Sequence, residues 1–132
     1  MKTIYLAGRI DAIDHNTRTD WRDKCKEHLK GFNIISPMDT KTIKQTAPDE
    51  VMFNVALKNV ASADLVLADI RYMPAENTGT ACELMHAYNR KIPIIGWMND
   101  TQVPRRVFMN VMVSEVYYSL EEAIVAVQHY FD

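Results

Sequence analysis

The run Asn77-Thr78-Gly79-Thr80-Ala81-Cys82-Glu83-Leu84 places one carboxylate, Glu83, about a turn into a helix that opens on a glycine-containing loop. The segment before it, Asp64-Leu65-Val66-Leu67-Ala68-Asp69, is short and apolar, as an interior parallel strand is, with a turn signalled at Pro74. In open α/β sheets ligands bind beyond the carboxyl ends of such strands. Backbone N–H groups of Thr78, Gly79 and Thr80 at the start of the helix then suit an anion or an electron-rich oxygen, with Glu83 facing whatever they hold. A first-turn acid is also what the helix dipole favours, and Thr78 or Thr80 would serve simply as a cap, so this pattern by itself leaves both readings open. Asp69, at the end of the strand, is a second carboxylate suited to proton transfer; it suits equally well the capping of the turn that follows.

The elements that must position these groups are those of one domain, residues 1–132. A chain of 132 residues supports a single core. A hydrophobic content of 48% and a formal net charge of −2 describe an ordinary globular protein without the basic excess needed to hold a nucleic-acid polymer. Cys25 and Cys82 lie far apart, and His15, His28, His86 and His129 form no metal-ligand spacing with them, so reduced thiols, no metal and no cofactor are expected. The first apolar run, Ile4-Tyr5-Leu6-Ala7, is too short for a signal peptide or a membrane span, which makes a cytoplasmic location the default and membrane partners unexpected.

Strand and helix alternate along the chain. Strands are expected at 2–7, 33–36, 64–70, 92–97 and 115–118. Helices are expected at 17–29 (with Trp21, Cys25, His28 and Leu29 inward), 49–62 (N-capped by Asp49, with Met52, Phe53, Ala56, Leu57 and Val60 inward) and 79–89, with a short segment opened by Pro104. Ser119-Leu120-Glu121-Glu122 is a capping box for a terminal helix. This alternation implies an α/β doubly wound, flavodoxin- or Rossmann-like fold, with a parallel five-stranded sheet in the order 2-1-3-4-5. The switch point then lies between strands one and three, so Gly8-Arg9-Ile10 and the loop 70–79 line one crevice. The terminal Tyr130-Phe131-Asp132 is apolar enough to pack, either on this chain or on a neighbouring subunit.

Five segments in order, Ile4-Tyr5-Leu6-Ala7-Gly8, Asp20-Trp21-Arg22, Ser36-Pro37-Met38, Ala63-Asp64-Leu65-Val66-Leu67 and Gly79-Thr80-Ala81-Cys82-Glu83-Leu84, followed by Lys91-Ile92-Pro93-Ile94, resemble the nucleoside 2-deoxyribosyltransferase family. That family includes the transferases proper and the 2′-deoxynucleoside 5′-monophosphate N-glycosidases. The resemblance implies cleavage of an N-glycosidic bond through a covalent glycosyl-enzyme intermediate. Glu83 matches the nucleophile, and Tyr5 matches the tyrosine that hydrogen-bonds it. Without the resemblance, Tyr5 reads as a core residue of a strand. The substrate implied is a small nucleoside or nucleotide, and the assembly implied is a homodimer or higher homo-oligomer. Arg105, Arg106 and Asn110 lie near where family members lend a residue across a subunit interface; a plain surface role fits them as well.

Two positions depart from the family pattern. Its usual Asp, eight positions before Asp64, is Ala56 here; a methyl group transfers no proton, so Asn54 or Asp69 must substitute or leaving-group protonation is weak. The Asp that binds the 5′-hydroxyl in the transferases is Asn77, which removes repulsion against a phosphate. Arg9 beside Gly8 can bind that phosphate bidentately, with Arg18 and Arg22 as further candidates, although such helix residues are usually solvated. The leading expectation is therefore a monophosphate N-glycosidase. The alternatives are a base-exchanging transferase and a nucleotide-binding module with little catalysis. A flavodoxin-like redox or signalling domain is disfavoured, since no Ser/Thr-rich loop follows strand one and Asp11 and Asp64 form no acidic phospho-acceptor cluster.

Overall fold

A computed structural model describes residues 1–10, 15–37 (backbone only for 15–18), 47–71, 78–99 and 106–132. Strand and helix alternate as β1 (Thr3–Ala7), α1 (His15–His28), β2 (Asn33–Ile35), α2 (Asp49–Ala61), β3 (Leu65–Asp69), α3 (Thr78–Asn89), β4 (Ile94–Trp97), α4 (Val107–Met112), β5 (Glu115–Tyr117) and α5 (Leu120–Tyr130). The five strands form one sheet in the order β2-β1-β3-β4-β5, and every pairing is parallel. Tyr5 pairs with Val66 and Ala7 with Ala68, so the ends of β1 and β3 lie side by side at the switch point.

The period of two along each strand divides the core. Ile4, Leu6, Leu65, Leu67, Ile95 and Trp97 face one way and pack with Trp21 and Cys25 of α1, with Leu29 just beyond it, and with Leu120, Ile124 and Val127 of α5. Tyr5, Ala7, Val66, Ala68 and Ile94 face the other way, against Val60 of α2, Leu84 and Ala87 of α3 and Met112 of α4. All five residues of β3 are buried, as a central strand covered on both faces requires.

Local signals account for most boundaries. Ser119 caps α5, its Oγ accepting the Glu122 N–H at 3.1 Å and lying 3.1 Å from Oε1 of the same residue. α3 ends in a Schellman turn: the Lys91 N–H donates to the Tyr88 carbonyl and the Ile92 N–H to that of Ala87, with Lys91 at φ 59° where glycine is usual. Three expectations are corrected. The cap position of α2 is Pro48, and Asp49 is the first helical residue, favoured there by the dipole and not by a side-chain cap bond. His28 is exposed on α1, and Arg22 takes a buried position instead. Phe53 is 56% exposed on α2. Phe131 packs within this chain, against Phe32 at 6.1 Å between ring centroids and under the ammonium of Lys2.

Candidate active site

Tyr5 is the middle residue of β1 and is 1% exposed, in the layer under α2 and α3. α3 places Thr80, Leu84 and Ala87 inward at helical spacing, which leaves Glu83 half-buried at the edge of that stripe. From there Glu83 meets the tyrosine: the Tyr5 hydroxyl donates to Glu83 Oε2. Burial above all, and then the charge of Glu83 and this hydrogen bond, push the Tyr5 hydroxyl far above the ordinary phenol range. The group is a permanent donor. The ring fills the layer while the hydroxyl reaches the carboxylate, so one residue both packs in the core and holds Glu83.

Gly8 follows β1 in a crowded place. A Cβ there would lie 2.8 Å from Trp21 Cζ2, 3.1 Å from Arg22 Nη2 and 3.2 Å from Asp69 Cβ, so only glycine lets the chain pass between α1 and β3. Gly8→Ala is expected to cost about 1–3 kcal/mol of stability, through displacement of the Trp21 ring. A urea midpoint equal to that of the parent chain would contradict this.

Arg9 is 6% exposed, and all three of its guanidinium nitrogens are buried without a hydrogen-bond partner among the described residues. Burying such a charge unpaired is costly, and an anion is what would offset it. Asp69 is committed elsewhere: Arg71 Nε donates to its Oδ1 at 2.9 Å and Nη2 to its Oδ2 at 2.7 Å, while the Arg71 backbone N–H donates to Oδ1 at 3.1 Å. The Arg71 guanidinium also stacks over Trp97, 4.5 Å from the ring centroid. Both oxygens of Asp69 thus act as acceptors, an arrangement that fixes Arg71. Arg106, expected near a subunit interface, donates to the backbone carbonyls of Ile70 and Arg71 and so grips the end of β3.

The other expected residues are more scattered. Gly79 is exposed with open space beside it, whereas the Thr80 side chain is buried on the inner face of α3. Asn110 is exposed on α4, and Asn54 on α2. Asn77, Arg105, the side chain of Arg18 and the helix start at Pro104 lie outside the described residues. Two side chains carry more than the sequence indicated. Arg71 follows Asp69 by two residues, a spacing that allows the ion pair, but the stack on Trp97 comes from a different strand and has no local signal. Arg22 is 1% exposed and donates through Nη2 to the Gly8 carbonyl at 3.0 Å, which ends its solvated reading. Cys25 packs in the core, where burial pushes its thiol up to about 12. Among the described residues no helix is long and apolar enough to cross a membrane.

The family this chain matches and its structural neighbours are glycosyl-transferring or N-glycosidase enzymes. The chain belongs to the nucleoside 2-deoxyribosyltransferase family, whose model matches residues 4–118. Three solved structures illustrate the fold. A conserved protein from Enterococcus faecalis V583 superposes with a TM-score of 0.82 at 19% identity, over 98% of this chain and 99% of that one. The 2-deoxyribosyltransferase of Bacillus psychrosaccharolyticus gives 0.75 at 17% identity, over 92% and 90%. A CMP N-glycosidase of Clostridium botulinum gives 0.67 at 14% identity, over 98% and 99%. A search of curated protein sequences finds no match. Family and fold together suggest nucleoside deoxyribosyltransferase or N-glycosidase activity.

Proposed function

We propose that the protein cleaves the N-glycosidic bond of a (2′-deoxy)nucleoside 5′-monophosphate through a covalent glycosyl-Glu83 intermediate that water resolves to the free sugar phosphate. The observation that carries this reading is the Tyr5–Glu83 pair. A half-buried carboxylate held by a hydroxyl that does not ionise is pre-aimed, and its negative charge stabilises an oxocarbenium-like transition state before it bonds to C1′. Arg9 supports the monophosphate: an unpartnered guanidinium next to Gly8 is a seat for a phosphate at the other end of the sugar. The CMP N-glycosidase fold relative acts on such a nucleotide. Asp69, held by Arg71, serves this scheme by positioning that arginine beside the crevice; the departing base takes its proton from water.

The family match favours a second reading, a transferase in which another base, not water, captures the glycosyl group. One experiment separates the two. The protein is incubated with deoxynucleosides and with their monophosphates, with and without an acceptor base, and the products are resolved by chromatography. Free base from the monophosphate without acceptor supports hydrolysis; a new nucleoside formed only with acceptor supports transfer; no product from any substrate overturns both. Tyr5→Phe removes one orienting hydrogen bond and no charge, so it is expected to lower turnover about tenfold to a hundredfold in a protein that still folds. A melting curve recorded beside the assay separates this from loss of the core.

The homo-oligomer belongs to the same proposal. Val51 and Phe53 of α2, Met85 and Tyr88 of α3, and Val107, Phe108 and Val111 of α4 are all exposed on the helical layer that covers one face of the sheet, with Phe108 at 76%. An apolar surface of this extent suits a second copy of the chain, to which the exposed Asn110 of α4 would be presented. Sedimentation of Phe108→Glu is expected to show a smaller species than the parent; an unchanged assembly, or a monomeric parent, counts against it.

A further inference from the structure

Arg22 is buried to 1%, more completely than any other charged side chain among the described residues. Its Nη2 donates to the Gly8 carbonyl at 3.0 Å, and its guanidinium lies over the Trp21 ring, 4.7 Å from the centroid. That carbonyl belongs to the peptide unit joining Gly8 to Arg9, and a peptide unit is planar, so whatever orients the oxygen also orients the Arg9 N–H and places the Arg9 Cα. The unit lies one step past the paired part of β1, whose register with β3 ends at Ala7 and Ala68. Crowding by Trp21 and Asp69 demands glycine at position 8, and glycine is the residue least able to hold a backbone direction by itself. Arg22 supplies the hold. The next side chain is Arg9, whose buried guanidinium nitrogens have no hydrogen-bond partner among the described residues.

We propose that Arg22 is a positioning residue for Arg9: by gripping the Gly8–Arg9 peptide it aims the Arg9 side chain at the 5′-phosphate of the substrate, and so sets the preference for nucleotide over nucleoside. This rests on the reading of Arg9 as the phosphate seat. A charge-assisted hydrogen bond is about twice as strong as a neutral one, and this one is shielded from competing water. The contact with the Trp21 ring restrains the donor itself. A seat prepared in advance spends less of the binding energy on ordering when the ligand arrives, and that saving appears as affinity. Arg22 need not touch the substrate for this. Its effect then passes wholly through Arg9.

The test is a double-mutant cycle, read as the ratio of kcat/KM for one monophosphate to kcat/KM for its nucleoside. Arg22→Met removes the donor but keeps an unbranched stem to cover Trp21, and Arg22→Lys keeps a charged donor. The ratio is expected to fall about tenfold in Arg22→Met and to recover towards the parent in Arg22→Lys; in an Arg9→Ala background, Arg22→Met is expected to change it no further. A merely structural role would lower both rates together and leave the ratio where it was, which overturns the proposal. A further fall in the Arg9→Ala background also overturns it, since Arg22 would then meet the phosphate itself. An unchanged ratio in Arg9→Ala alone overturns the phosphate seat and this proposal with it, whereas a ratio that falls in Arg9→Ala but not in Arg22→Met overturns this proposal only. In a protein that turns nothing over, calorimetric titration with 2-deoxyribose 5-phosphate reads the same cycle as affinities, and no binding by the parent overturns seat and proposal alike. Should Arg22→Met not fold, amide relaxation in the parent decides: the order parameter of the Arg9 N–H must match those of β1, about 0.85, and a lower value overturns the proposal.

Discussion

Glu83→Gln is expected to lower turnover at least about a hundredfold, equivalent to about 2.7 kcal/mol or more of lost transition-state stabilisation, with the fold unchanged. The amide keeps the shape of the side chain, and its oxygen still accepts from the Tyr5 hydroxyl, so the contact that ties α3 to β1 survives. On the proposed mechanism, what disappears is the negative charge that faces the oxocarbenium-like centre and the carboxylate oxygen that bonds to C1′. Release of free base, measured at saturating substrate in a sample whose circular dichroism matches the parent, checks the expectation. A near-normal rate would remove Glu83 from the mechanism.

The second large effect concerns the phosphate. Arg9→Ala is expected to weaken use of a monophosphate by about 1.5–3 kcal/mol, the scale of a charge-assisted hydrogen bond, which is about a 10- to 150-fold loss in kcat/KM. Activity on the matching nucleoside should hardly change. Because the Arg9 guanidinium is buried and unpartnered, its removal takes away a desolvated charge and breaks no hydrogen bond. Stability should stay level or rise, so a lost rate does not trace to unfolding. Asn77→Asp should shift preference the same way, by placing a negative charge beside the 5′ position. Both are to be compared on one nucleoside and its monophosphate at matched salt, since screening imitates the loss of a charge contact. Equal losses on the two substrates would overturn the monophosphate reading and leave the nucleoside transferase.

The architecture could be read from the chain because each strand is a short apolar run, each helix has its own period, and strict alternation admits few topologies. The pairing of Tyr5 with Glu83 was reached by resemblance alone. The two are far apart in sequence, and nothing in the pattern around Tyr5 separates it from an ordinary strand residue. Arg22 was misjudged for a physical reason. Local spacing assigns charged helix residues to solvent, but the Arg22 guanidinium turns inward, where it donates to the Gly8 carbonyl and lies over the Trp21 ring. Phe53 was misjudged in the opposite sense. A helix apolar on two faces reads as one broad inward stripe, and only the packed sheet shows that Val60 is buried while Phe53 remains outside.

The tyrosine that holds Glu83 grows from the middle of β1, and β1 is flanked by β2 and β3. The backbone amides of such a strand are exposed to exchange only when most of the domain opens, so one arm of the Tyr5–Glu83 pair is anchored where exchange should be slowest. Many active sites lose their alignment by local loosening some degrees below the melting transition. Here the hydroxyl has no independent hinge, and heat inactivation should coincide with the cooperative unfolding of the sheet.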